Sequence, residues 1–380
     1  MLVNSAPIPS MIDLLTPLLD RKGIKQGESD SIWCVSDSLA FYLSKSCFAL
    51  SIIVDIWREI TKKAKLILWV PEYFCDEALS QIDKSHTKIV FYKISNRLKT
   101  CKETIDQAAH SGVPDIVLLV HYFGFVNYDK SLCDYCAQNN VLIIEDAAHV
   151  LRPTSDIGRI GGFTFYSPHK TLPVMQGSIL SFNRMQSIFL GYDRVKISDL
   201  INQRINQLSK NSHAPSPSRW IIKKIVQRLL PQFVTKFIPA KERVKQFDNK
   251  YTPLSRYSYN QMKRYTNNYL RAIEVKRRKN YVDLLNMINR KCSVQCNVDV
   301  CGDDIPFLLQ LVFDDKNEEQ LITSSIKKIG GFCSRWPLLP DDIKSDSMAW
   351  KLANEATVIT IHENLPIKRL LTELDSIQKD

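Results

Sequence analysis

Between residues 65 and 146 the chain alternates between two kinds of segment, and this alternation restricts its fold more than any other feature. KLILWV (65–70), KIVFYKI (88–94), DIVLLVHYFG (115–124) and VLIIED (141–146) are short and apolar almost throughout. FCDEALSQIDK (74–84), CKETIDQAAHSG (101–112) and YDKSLCDYCAQNN (128–140) lie between them and read as helices, the second closing on a glycine stop. A strand without a polar face must be covered on both faces. Such strands, joined by helices of roughly 10–15 residues, predict a mainly parallel sheet between two helical layers. GSILSF (177–182) adds a further strand. Ligands of such sheets lie beyond the carboxyl ends of the strands, so His121 and Asp146, each at a strand end, are expected to face one site.

At 380 residues the chain exceeds one small core and predicts a large domain plus a smaller one. The expected division gives residues 1–245 to the large domain, with a basic helical and loop segment from about 200, and residues 246–380 to a smaller C-terminal α+β domain. HAPSPSRW (213–220) reads as a surface loop, RWIIKKIVQRLL (219–230) as an amphipathic helix and KRYTNNYLRAIEVKRRKNYVDLLNMINRK (263–291) as one long helix. PFLLQLVFDD, NEEQLITSSIKKIGG, MAWKLANEATVITIH and RLLTELDSIQ supply the strands and helices of the smaller unit.

Hydrophobic content of 44% and charged content of 24% are ordinary for a soluble globular chain. No apolar run approaches the ~20 residues that span a bilayer, and MLVNSAPIPSMIDLL lacks the parts of a signal peptide. A cytoplasmic protein is expected, with its ten cysteines reduced. Cys133 and Cys136 have CxxC spacing, but no second pair completes a four-ligand zinc site, so no metal is expected. The net charge of +11 is concentrated. Residues 201–280 hold 19 Lys and Arg against 3 Asp and Glu, about +16, which leaves 11 − 16 = −5 for the rest. Such a block can meet phosphates, nucleic acid or an anionic membrane face. No nucleic-acid motif accompanies it, so nucleic acid is not an expected partner and a solvated face is the plainer meaning. The 219–230 helix can rest on an anionic membrane surface, on its own domain or on a partner subunit.

The densest chemistry lies in EDAAHVLRPTSDIGRIGGFTFYSPHK (145–170). Asp146 closes an apolar strand, and Lys170 follows 24 positions later (170 − 146). Three readings fit the bare pair: a structural ion pair, general acid–base catalysis, or a pyridoxal phosphate (PLP) site in which a lysine forms a Schiff base and an acid holds the ring nitrogen. The third also needs hydroxyls and a helix N-terminus for the phosphate. LSKSCFALSIIVDIW (43–57) offers Ser44 and Ser46 before an apolar helical run, and Ser167 stands three residues before Lys170. The residues alone leave all three readings open.

The same stretches resemble the DegT/DnrJ/StrS family of PLP-dependent sugar aminotransferases, of aspartate-aminotransferase-like fold (fold type I). Its H-x-x-G is matched by His121–Gly124, its E-D-A-A-(Q/H) by Glu145–His149, and its later lysine by Lys170. VPEYFCDEAL (70–79), RRKNYVDLL (277–285), SRWPLLP and ITIHENLP resemble further family stretches, so the likeness runs from about residue 35 to 375. It implies a three-layer PLP-transferase domain, PLP as cofactor, and a homodimer. It also implies transfer of an amino group from a donor such as glutamate to a nucleotide-linked keto-sugar, in amino-sugar or surface-polysaccharide synthesis. Carried over by residue, Lys170 would be the Schiff-base lysine, Asp146 the partner of the ring nitrogen and His149 a neighbour of the ring. Ser44, Ser46 and Ser167 would serve the phosphate, and Tyr73 the ring face. Three positions depart from the family pattern: Lys45 replaces a phosphate-loop glycine, Phe165 a common serine, and Cys75 an aromatic. Two alternatives are a PLP-dependent sugar dehydratase, whose known members replace the lysine, and a catalytically idle member acting as a binding or regulatory subunit.

Overall fold

The computed structural model describes residues 6–376 apart from 21, 101, 128, 190, 211, 230–249, 297–299 and 330. The expected domain boundary at 245/246 therefore lies outside the described residues, as does the last residue of the 219–230 helix.

Helix α1 (Met11–Leu19) starts on a Ser10–Asp13 capping box. Then follow β1 (Ser38–Leu43), α2 (Ser46–Thr61), β2 (Leu66–Pro71), α3 (Asp76–Leu79), β3 (Thr87–Tyr92), α4 (Lys102–Ala109), β4 (Ile116–Val120), α5 (Lys130–Gln138), β5 (Leu142–Ala147), β6 (Phe163–Tyr166), α6 (Pro168–Thr171) and β7 (Ser178–Asn183). The seven strands form one sheet in the order β1-β7-β6-β5-β4-β2-β3. β7 runs antiparallel to both neighbours and the other pairs are parallel, so the sheet is mixed and mainly parallel, as expected. Alternate side chains serve two cores. Phe41, Leu43, Phe163, Phe165, Leu180 and Phe182 pack in the cluster that holds α2. Ala40, Tyr42, Tyr166 and Ile179, their neighbours in sequence, pack in a second cluster. A strand sends successive side chains to opposite faces, so two cores on one set of strands mean a sheet covered on both sides.

Beyond the sheet come α7 (Arg194–Ser209), α8 (Ser218–Leu229), α9 (Arg256–Lys263) and α10 (Asn267–Asn289). A second sheet, β10-β11-β9-β8, is antiparallel and built from β8 (Val294–Cys296), β9 (Leu308–Phe313), β10 (Cys333–Ser334) and β11 (Thr357–Thr360). It carries α11 (Lys316–Lys328), α12 (Met348–Glu355) and α13 (Ile367–Ser376), which makes the smaller α+β unit.

Three local readings needed correction. The helix expected over 74–84 is only α3, because the Asp83 carboxylate accepts from the Ser85 amide at 2.9 Å and from its hydroxyl, a turn that competes with helix. The long helix over 263–291 is α9 plus α10, since Thr266 caps a fresh start through the Tyr269 amide. The strand over 115–124 stops at Val120, and residues 121–124 turn away.

That last turn joins the two units. The Phe123 carbonyl accepts from the Phe307 amide at 2.8 Å and the Gly124 carbonyl from the Ile305 amide at 3.2 Å. Phe123 and Gly124 both have positive φ, 57° and 91°. A Cβ on Gly124 would lie 2.0 Å from the Ile305 carbonyl oxygen, so only glycine lets the backbones meet. Gly124→Ala is expected to cost roughly 2–4 kcal/mol, read as a lower urea midpoint. An unchanged midpoint would mean that this backbone seam is not closed as described.

Candidate functional site

The carboxyl ends of β2, β4, β5 and β6 converge with the β1–α2 junction. In the ladder Val120 pairs with Asp146, and Asp146 with Phe165, which brings the strand-end acid level with the turn that leads to α6. Asp146 is 7% exposed, and its Oδ1 accepts from the Ala148 amide at 2.8 Å. Burial pushes its carboxyl up, while the positive charge of Lys170 and the Ala148 amide pull it back. Lys170 is half-buried in α6, and its charge is felt by Asp146, Cys75, His149 and His169. The structure therefore brings together the acid and the lysine that are 24 positions apart in sequence.

His149 lies in an aromatic enclosure. Its ring is nearly parallel to Phe123 at 5.8 Å and packs on Phe307 at 5.1 Å and Trp336 at 5.0 Å. Nδ1 accepts from the Phe123 amide at 3.4 Å, which assigns the ring proton to Nε2. Burial, reinforced by Lys170, pushes its pKa far below the ordinary value, so the imidazole is neutral.

Glu145, the residue before Asp146, has a different task. It is fully buried and accepts from the amides of Gly158 at 2.8 Å, Ile160 at 2.9 Å and Gly161 at 2.7 Å. His121 Nε2 donates to it at 2.9 Å, while His121 Nδ1 accepts from the Asn127 amide at 3.3 Å. Burial opposes the charge of Glu145, but His121 and the amides of Gly161 and Gly158 outweigh it and hold the carboxyl below its usual range. Glu145 thus ties the loop between β5 and β6 to the strand and sets where β6 delivers Lys170.

At the other end of the site, Ser44 is 1% and Ser167 0% exposed, and neither hydroxyl has a hydrogen-bond partner in the protein. Ser46 is the half-buried first residue of α2, whose first turn carries no acid and whose N-cap, Lys45, makes no side-chain cap. The Ser44 carbonyl accepts from the Gly177 amide at 3.1 Å, and His169 Nδ1 bonds the Gly177 carbonyl at 2.8 Å, which links the β1–α2 junction to the lysine turn. A buried hydroxyl without a partner costs roughly 1–3 kcal/mol. Two of them beside an uncapped 16-residue helix fit a phosphoryl group.

Tyr73 sits elsewhere. It is fully buried, its hydroxyl donates to the Trp336 carbonyl and accepts from Gln310 Nε2 at 2.7 Å, and its ring meets Tyr122 and Trp336 edge-on. The structure gives Tyr73 to the seam between the sheets, and it is Cys75 that lies in the field of Lys170. The sequence pointed to Arg277 only as the first residue of the RRKNYVDLL stretch and gave it no task. That side chain is 1% exposed, pairs with Glu363 at 3.0 Å and donates to the Thr171 carbonyl, next to Lys170. A signal existed: Arg277 interrupts the buried stripe Leu270, Ile273, Tyr281, Leu284 of α10. The CDYC cysteines lie on α5, where burial raises Cys133 to about 11 and Cys136 to about 12. They line a cavity of about 960 Å³ with Trp57, Val141, Ile143 and Gly162, at the opposite strand ends, away from Lys170. Among the described residues no group of three metal-binding side chains occurs.

No family model matches the sequence, and no curated protein matches it. Solved structures do. A DegT DnrJ EryC1 StrS aminotransferase from Brucella abortus superposes with a TM-score of 0.61 at 12% identity, over 90% of this chain and 86% of that one. PseC of Helicobacter pylori, an aminotransferase involved in the biosynthesis of pseudoaminic acid, gives 0.57 at 13% identity over 90% and 86%. The E. coli GDP-4-keto-6-deoxy-D-mannose-3-dehydratase with bound hydrated PLP gives 0.58 at 14% identity over 88% and 87%.

Two histidines of the site make a pH prediction. His169 is pushed down to about 4 by burial, and His149 well below its ordinary 6.5. As pH falls below 6.5 the unfolded chain takes up protons that the folded chain refuses. Stability should therefore fall from pH 6.5 towards 4, by up to about 1.4 kcal/mol per pH unit for each histidine. Asp146, whose carboxyl is raised, opposes this at the acid end. Urea midpoints at pH 7.5 and pH 5 test it, and His169→Gln should flatten the slope. A midpoint as high at pH 5 would contradict it. The chain shares the fold of these aminotransferases and of this dehydratase, which is the fold its motifs led one to expect.

Proposed function

We propose that the chain is a PLP-dependent aminotransferase that passes an amino group from a donor such as glutamate to a nucleotide-linked keto-sugar, in amino-sugar or surface-polysaccharide synthesis. The observation that carries this is that Asp146, buried at the carboxyl edge of the sheet, lies within reach of the charge of Lys170. PLP, when bound, supplies an electron sink that stabilises a carbanion at the substrate carbon. The residues do the rest. Asp146 would hold the ring nitrogen protonated, since a raised buried carboxylate gains most from a cationic partner. Ser44, Ser46 and Ser167 would hold the phosphate, and neutral His149 would border the ring with Phe123 and Trp336 behind it. Lys170 Nζ would carry the proton between the reacting carbons. The presence of a lysine at position 170 favours transamination over dehydration, although a dehydratase shares the fold.

PseC of Helicobacter pylori, an aminotransferase involved in the biosynthesis of pseudoaminic acid, shares the fold, which supports the substrate class. The nine described cysteines form no disulfide, and no described helix is long and apolar enough to cross a membrane, which accords with a cytoplasmic enzyme. A homodimer has a candidate surface. Met11, Ile12, Leu15, Leu18 and Leu19 of α1 are exposed, as are Ile222, Val226 and Leu229 of α8. The two helices meet through Leu14, Ile221 and Tyr257, and Arg228 donates to the Pro9 carbonyl. An apolar face of this kind asks for a cover.

Purified protein given PLP should show a visible absorption band that shifts with glutamate. Lys170→Ala should abolish the band, and Asp146→Asn should lower turnover roughly 100-fold or more. A protein that takes up no PLP would sink the enzyme reading and leave the idle-subunit alternative. In sedimentation velocity the wild type should run as a dimer and the Leu15→Glu, Ile222→Glu double variant as a monomer. A monomeric wild type that pellets with anionic vesicles would assign the face to a membrane instead.

A further inference from the structure

We propose that Lys45 is the charge partner of the phosphoryl group held at the amino end of α2, so that an ammonium does there what close backbone approach at a glycine does in the family the sequence resembles. The inference rests on the proposed cofactor site and adds a residue to it that departs from the family pattern.

Four observations converge. Lys45 is the N-cap of α2 with φ −140° and ψ 151°, an extended conformation open to any residue, so the lost glycine leaves no strain. The side chain is half-buried, yet among the described residues it forms no ion pair or hydrogen bond, and α2 has no acid in its first turn. A half-buried lysine without an acid beside it is available to an anion. Its charge reaches into the site: it acts on Cys47 in α2 and on His169, the neighbour of Lys170. Finally, the hydroxyls flanking this corner, Ser44 Oγ and Ser167 Oγ, are buried and unpartnered.

The charge balance agrees. Glu145 is already engaged by His121 and three amides, so Asp146 is the buried acid that faces Lys170. Glu77, which acts on Cys47 and Cys75, is exposed and screened by water. Lys45 and Lys170 then leave the corner net positive, and the uncapped α2 amides add to it, which suits a dianion.

The test uses three probes on cofactor-stripped full-length protein: inorganic phosphate, PLP, and pyridoxal, which lacks the phosphate. Lys45→Gln should weaken inorganic phosphate and PLP roughly 10- to 100-fold and leave pyridoxal unchanged, with an unaltered circular-dichroism melt. Lys45→Arg should keep the affinity for phosphate. Equal PLP and phosphate affinities in wild type and Lys45→Gln would overturn the inference while leaving the aminotransferase reading intact. Phosphate binding that depends on Lys45, without any Lys170-dependent absorption band, would do the reverse. A wild type that binds none of the three would overturn both.

Discussion

The site depends on the buried pairing of Glu145 with His121. A strand turns successive side chains to opposite faces, so two acids in a row cannot share an environment. Glu145 enters a pocket of three amides and an imidazole and is held ionised below its usual range. Asp146, one residue on, enters a dry pocket with a single amide and is pushed up until a cation stands near. Environments that push neighbouring carboxyls apart assign them different work. The first fixes the loop that leads to β6 and Lys170, and the second is free for a ligand.

A second set of contacts holds the smaller unit against that edge. The backbone bonds of Phe123 and Gly124, the Tyr73–Trp336–Gln310 group and the bond from Arg277 to the Thr171 carbonyl all cross between units. Each ends beside the site: Phe123 and Trp336 enclose His149, and Arg277 grips the carbonyl after Lys170. A shift of the small unit would therefore be felt at the lysine turn and at the histidine together. The seam gives Tyr73 its role, since a hydroxyl bonded on both sides and a ring closed in by Tyr122 and Trp336 have little left to offer a ligand.

Much of the sheet was legible because its strands are apolar on both faces, and β2 to β5 follow the runs in the sequence closely. The strands missed were β1 and β6. SLAFYL carries no turn signal before the helix that follows it, and FTFY is too short for periodicity to register. The partnership of Asp146 and Lys170 was suggested by motif, and its geometry needed the fold, because the 23 residues between them (147–169) make a tethered loop and a strand. Glu145 was quoted with its motif but given no task, since nothing local tells a loop anchor from a ligand. Lys45 reads in sequence as a defect in a glycine loop. The extended backbone and the missing acid partner, which only the structure supplies, turn it into a candidate ligand.

The central claim is that Lys170 is the lysine that PLP finds. Borohydride reduction of the protein incubated with PLP, followed by peptide mass spectrometry, addresses it directly. The account predicts a pyridoxyl group on the peptide containing Lys170 and its loss in Lys170→Ala. Labelling confined to surface lysines such as Lys223, or no labelling at all, would contradict it.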